Sequence, residues 1–149
     1  MGSASQSPFE SKAIEALKKS GCRITSPRIQ VIRTLAAADR ALSANTIHER
    51  ISASGGKIDM VSVYRTLTTL VGMHVVHHVG VVDGYLACGV EEHQGALCEH
   101  LVCQDCGKVT EMEVDEAVAA STAIALAKRG FRAREVKIEV LGVCADCQS

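Results

Sequence analysis

Apolar positions recur at helical spacing through the first half of the chain. From Phe9 to Ser20, Ile14 and Leu17 predict a short amphipathic helix that Gly21 ends. Thr25 or Ser26 can cap a second helix with Pro27 in its first turn, and Ile29, Ile32, Leu35 and Ala36 fall on one face of it. Ser43 caps a third through Ile47 and Ile51, which Ser54-Gly55-Gly56 closes. Asp59 or Ser62 opens a fourth with an apolar stripe of Val63, Leu67, Leu70 and Val71. Its opposite face carries Ser62, Arg65, Thr66 and Thr69. A short helix with one buried stripe and one polar, arginine-bearing face fits a DNA major groove; the competing reading is a face that merely meets water.

After Gly72 the period shortens to that of strands. Val75-Val76 and Val79 to Val82 are β-formers, Asp83-Gly84 reads as a two-residue hairpin turn, and Tyr85-Leu86-Ala87 returns. Helices followed by such a hairpin describe a winged helix. A Glu- and Gly-rich stretch from Gly89 to Gly95 then marks a boundary. Beyond it, Leu97 to Val102 and Lys108 to Val114 predict two strands. A helix from Asp115-Glu116 to Lys128-Arg129-Gly130 and a third strand through Val136, Ile138 and Val140 follow. The expected fold is α+β: a winged helix-turn-helix domain over residues 1–88, a hinge over 89–95, and a small α/β unit over 96–149. One helix on three strands has little core of its own, so bound zinc and pairing of strand edges with a second copy are the expected remedies. The chain is therefore expected to be a homodimer.

Composition narrows the classes. Of 149 residues 47% are hydrophobic and only 3% aromatic, with no tryptophan, so Val, Ile, Leu and Ala must form the core. No stretch approaches the roughly 18 apolar residues of a membrane span, and Met1 to Gln6 lack a basic region followed by an apolar run. A soluble, cytoplasmic protein with no membrane partner is the expectation. The net charge of −1 hides a split, with residues 1–72 at +5 and residues 73–149 at −6. A basic half beside an acidic half rich in metal-binding side chains is the pattern of a nucleic-acid reader joined to a sensor.

Seven cysteines decide the chemistry. Cys103-x-x-Cys106 and Cys144-x-x-Cys147 supply four thiolates for a closed, tetrahedral, structural zinc site that does no chemistry. The alternative, a redox dithiol, normally appears once at a helix start. Five of the six histidines gather upstream with Cys88 and Cys98. A second, regulatory zinc site can be assembled from His77, Cys88, His93 and Glu111, with Cys98 and His100 as rival ligands. One thiolate, two imidazoles and a carboxylate suit zinc, whereas ferrous iron favours nitrogen and oxygen alone. His74 and His78 are left at the surface or behind the ligands, and His48 is structural. A zinc hydrolase or deaminase would need His-x-Glu before Pro-Cys-x-x-Cys. The chain has Glu99-His100 and no such proline, so neither an enzyme nor a small-molecule substrate is expected.

Gly21-Cys-Arg-Ile-Thr-Ser-Pro-Arg28, Val63-Tyr-Arg-Thr-Leu67 and Cys103-Gln-Asp-Cys-Gly-Lys-Val-Thr-Glu111, with the distant Cys144-x-x-Cys147, closely resemble the ferric uptake regulator family. The resemblance runs over nearly the whole chain. It implies a dimeric winged-helix repressor that binds A/T-rich inverted repeats in double-stranded DNA when loaded with metal. It also implies that Tyr64 and Arg65 touch the major groove and that Arg23 approaches the minor groove or backbone. Iron-sensing members usually carry a His-rich stretch before the first C-x-x-C and a histidine ahead of the third helix. Here these are Cys98-Glu-His100 and Arg40-Ala-Leu42, while Cys88 looks like the cysteine ligand of the zinc uptake regulator branch. The expectation is thus a zinc-responsive repressor of zinc uptake genes; the alternative is an iron, manganese, nickel or peroxide sensor of the same fold.

Overall fold

The computed structural model describes residues 7–89 and 97–148, with the backbone alone at Leu97 and Cys98. The chain divides into two compact units, Met1–Glu91 and Glu92–Ser149. In the first, α1 (Pro8–Lys19), α2 (Ser26–Ala36), α3 (Ala44–Ala53) and α4 (Met60–Gly72) precede a hairpin of β1 (Val76–Val79) and β2 (Gly84–Ala87). Side chains start three of the helices: Ser7 accepts from the Glu10 N–H, Ser43 from Thr46 and Asp59 from Ser62. Each satisfies one of the amides a helix start leaves open. Thr25 occupies the corresponding place before α2 without a side-chain cap bond.

One apolar core joins these helices, built from Ala13, Leu17, Val31, Ile32, Leu35, Ile47, Ile51, Val63, Leu67 and Leu70. Two expected stripes keep most of their residues but change at one or two positions. On α2 the buried positions are Val31, Ile32 and Leu35, while Ile29 and Ala36 are only half-buried. On α4 the stripe is Val63, Thr66, Leu67 and Leu70, at i, i+3, i+4 and i+7. Thr66, 3% exposed, therefore belongs to the core and not to the polar face expected of it. A reading based on polarity alone places this position outside.

The hairpin also differs from expectation. Val79 pairs with Gly84, and residues 80–83 form the connection, with a 3-10 turn at Gly80–Val82 and Asp83 in the left-handed region at φ 44°. Gly84 is thus the first residue of β2 and not part of a two-residue turn. A Cβ there would lie 2.8 Å from the Ala41 Cβ, because Leu42 exchanges backbone bonds of 2.9 and 2.7 Å with Tyr85. The glycine lets the segment before α3 close onto the wing.

The second unit holds β3 (Leu97–Cys103), β4 (Val109–Met112), α5 (Glu116–Ala127) and β5 (Val136–Gly142). The sheet order is β4-β3-β5, with β3 antiparallel to β4 and parallel to β5, so α5 lies in the crossover that a parallel pair requires. Asp115 caps α5 through the Ala117 N–H at 2.7 Å, and Gly130 at φ 64° follows its end. Burial is thin here. Among the described side chains of this unit only His100, Val102 and Cys103 are buried, none of them on α5. No helix among the described residues is long and apolar enough to cross a membrane.

Candidate metal centres

The parallel register Cys103↔Gly142 ends β3 and β5 at the same edge of the sheet, which brings the two C-x-x-C segments together. After β3 the chain reverses through Gly107 at φ 73°, with the Cys103 N–H donating to the Lys108 carbonyl at 2.9 Å. After β5 a 3-10 turn over Ala145–Cys147 curls the other pair back. All four Sγ atoms lie within 4.8 Å of one another, and Cys106 and Cys144 are 3.8 Å apart. Zinc–sulfur bonds of about 2.3 Å in a tetrahedron place sulfurs about 3.8 Å apart, so the cluster fits a four-thiolate zinc.

The electrostatics point the same way. Backbone N–H groups of Cys144 and Cys106 hold the Cys103 thiol down to about 6, whereas the neighbouring Cys144 and Cys106 thiols push Cys147 upward. Thiols this close resist joint ionisation until a cation neutralises them. Zinc in such a cage has no open position and supplies stability alone. The Cys144 N–H donates to Cys103 Sγ at 3.3 Å, a bond that also stabilises a metal-bound thiolate.

A second cluster begins in the wing of the first unit. His77 on β1 and Cys88 just after β2 are 8% and 5% exposed, and their donor atoms lie within 4.8 Å of each other. The Cys88 N–H donates to the Val75 carbonyl at 3.0 Å, which fixes the thiol beside the hairpin. Lys12 of α1, which periodicity did not single out, brings its Nζ to 3.8 Å from Cys88 Sγ. In the second unit Glu111 on β4 stands opposite His100 on β3, and His100 is 2% exposed. His93 lies outside the described residues, and Cys98 is placed only by its backbone in β3. His48 Nε2 donates to the Ile58 carbonyl, in the segment between α3 and α4, at 3.0 Å. His78 sits 3.0 Å from Asp83 and packs against Tyr85 with the two rings tilted by 41° and their centroids 4.8 Å apart.

The outward face of α4 is Val61, Tyr64, Arg65 and Thr68, again at i, i+3, i+4 and i+7. Tyr64 and Arg65 are exposed, as is Arg23 ahead of α2. Ser62 and Thr69 flank that face half-buried; their hydroxyls donate to Asp59 and to the Arg65 carbonyl, each at 2.8 Å. Thr68 was missed by sequence reasoning. Placing the buried stripe at 63, 66, 67 and 70 would have found it, since the two faces are complementary.

The sequence pattern of the ferric uptake regulator family matches residues 19–141. The chain belongs to the ferric uptake regulator family. The ferric uptake regulation protein of Legionella pneumophila is 30% identical over 135 residues, covering 90% of this chain and 97% of that one. That of Escherichia coli K12 is 32% identical over 138 residues, covering 89% and 90%. Among solved structures, a zinc uptake regulator complexed with zinc and DNA superposes with a TM-score of 0.86 at 27% identity, covering 97% of this chain and 95% of that one. A holo XcZur structure gives 0.81 at 26%, covering 93% and 96%. The Vibrio cholerae ferric uptake regulator gives 0.56 at 26%, covering 87% and 98%. Membership makes this chain a metal-responsive DNA-binding regulator of the winged-helix type and not an enzyme, which removes the hydrolase and deaminase alternatives.

Proposed function

We propose that this protein is a zinc-responsive, dimeric repressor that binds A/T-rich inverted repeats ahead of zinc uptake genes in the bacterial cytoplasm. The observation that carries the zinc assignment is the buried Cys88 thiol beside His77, because a thiolate ligand selects zinc over ferrous iron. Likeness to a zinc uptake regulator complexed with zinc and DNA supports the same reading. His93 and Glu111 complete the proposed ligand set, with Cys98 and His100 as rivals. Residues 1–88 then read DNA, 89–95 act as a hinge and 96–149 dimerise.

Ligands drawn from both units would let the ion fix their angle and so the spacing of two α4 helices on an operator. Moving such a dimer from 1% to 99% competent needs roughly a 10⁴-fold preference of zinc for the competent state. Tyr64 and Arg65 would meet base edges or phosphates, with Ser62, Thr69 and the exposed Thr68 beside them and Arg23 at the adjacent backbone. Thr66 leaves this set because it is buried. Gel shifts with zinc, ferrous iron, manganese, nickel and a chelator test the proposal: zinc should restore operator binding at the lowest free concentration. Restoration by ferrous iron and not by zinc would contradict it. The second reading is an iron, manganese, nickel or peroxide sensor, of which iron alone draws on the names of the curated relatives at 30% and 32% identity.

A further inference from the structure

We propose that Lys12 is a positioning residue that sets the affinity of the His77 and Cys88 metal site, acting as a fixed cation that holds the site weaker than its ligands alone would make it. The proposal rests on those two residues being ligands, as argued above. Lys12 and Cys88 are 76 positions apart, yet Nζ and Sγ lie at 3.8 Å. Both belong to the first compact unit. Helix α1 is anchored there: Ala13 and Leu17 are wholly buried, and Glu10, itself buried, accepts from Arg33 of α2 at 2.9 Å. The ammonium is therefore presented by the fold and does not simply reach in from a mobile arm.

Two effects of that ammonium act in one direction. An N–H aimed at the Cys88 sulfur occupies electron density that a metal would otherwise receive, so the thiolate becomes a weaker donor. A divalent ion also adds net positive charge beside Lys12, two units if the thiol is already ionised and one if a proton leaves as the metal binds. At separations near 5 Å in a partly buried site this repulsion is on the order of tenfold or more in affinity. A sensor gains from such a brake, because its ion must leave when supply falls.

The test titrates zinc, in competition with a chromophoric chelator, into full-length protein whose four-cysteine site is filled. Lys12→Met should bind the second zinc about tenfold more tightly than wild type, and Lys12→Arg should stay within about threefold of wild type. Cobalt substitution gives a readout that a merely structural role would not move. The thiolate-to-cobalt charge-transfer band should shift to lower energy in Lys12→Met, where the sulfur loses its N–H donor, and hold its place in Lys12→Arg. Lys12→Gln, with a thermal melt of the metal-free form, replaces Lys12→Met should the latter not fold. Equal or weaker zinc binding by a folded neutral variant overturns the proposal. Cys88→Ser separates the two levels. Loss of the second ion in Cys88→Ser with no gain in Lys12→Met overturns the Lys12 inference alone; retention of that ion removes the site and the inference together.

Discussion

The first unit buries a continuous apolar core in which Leu17, Ile32, Ile47, Leu67 and Leu70 are inaccessible, while α5 of the second has no buried residue. The second instead leaves Met112, Val118, Ile124, Phe131, Val140, Leu141 and Val143 exposed. Packing alone can hold the reader, but the other unit depends on bonds outside its own core: zinc–thiolate bonds and burial against a second copy. Division of labour follows from that difference. In the proposed function, a unit held by its own core keeps α4 intact as metal comes and goes, and a unit stabilised by metal and partner ties quaternary structure to zinc.

Removing the structural zinc should produce the largest effect. Apparent binding free energies of such sites are about 10–16 kcal/mol, so Cys103→Ser should abolish amide-exchange protection in β3 to β5 while α1 to α4 remain protected. Protection that persists in the second unit without zinc would erase the contrast. Acid should do the same reversibly. Protons compete with zinc for the four thiolates, so the ion should be released as pH falls and rebound when pH is restored.

Truncating the first unit's core comes next. Leu67→Ala should cost about 3 kcal/mol in denaturant melts of the first unit, whereas Leu141→Ala should leave the fold within about 0.5 kcal/mol and weaken the dimer by sedimentation. Arg65→Ala should cost about 1–3 kcal/mol of operator affinity with no change in melting. The α4 cap comes last: Asp59→Ala should lower the melting temperature of the first unit slightly. The Ser62 N–H and hydroxyl hold the Asp59 carboxyl below its usual range, so this cap persists above ordinary carboxylate pKa values and is lost only in stronger acid.

The sequence made some of this legible and hid the rest for definite reasons. Glycines, caps and 3.6-residue periodicity located α1 to α5, and two C-x-x-C pairs announced a four-thiolate cluster because spacing alone encodes it. Thr66 misled because its hydroxyl signals surface while the residue is buried. The hairpin connection at 80–83 misled because Val81 and Val82 have strand propensity, yet the close approach of Ala41 requires glycine at 84, not within the turn. Lys12 could not be found from local pattern at all. Its role depends on a contact across 76 positions, which periodicity along one helix does not carry.

In the proposed function a Cys88-containing zinc site governs DNA binding. Operator affinity of wild type and Cys88→Ser, each with its four-cysteine zinc in place, should be measured across a buffered series of free zinc. Wild type should gain affinity steeply as zinc rises, and Cys88→Ser should remain a folded dimer that holds one zinc per subunit and binds operator no better at any concentration. Zinc-dependent operator binding by Cys88→Ser equal to that of wild type would contradict the account.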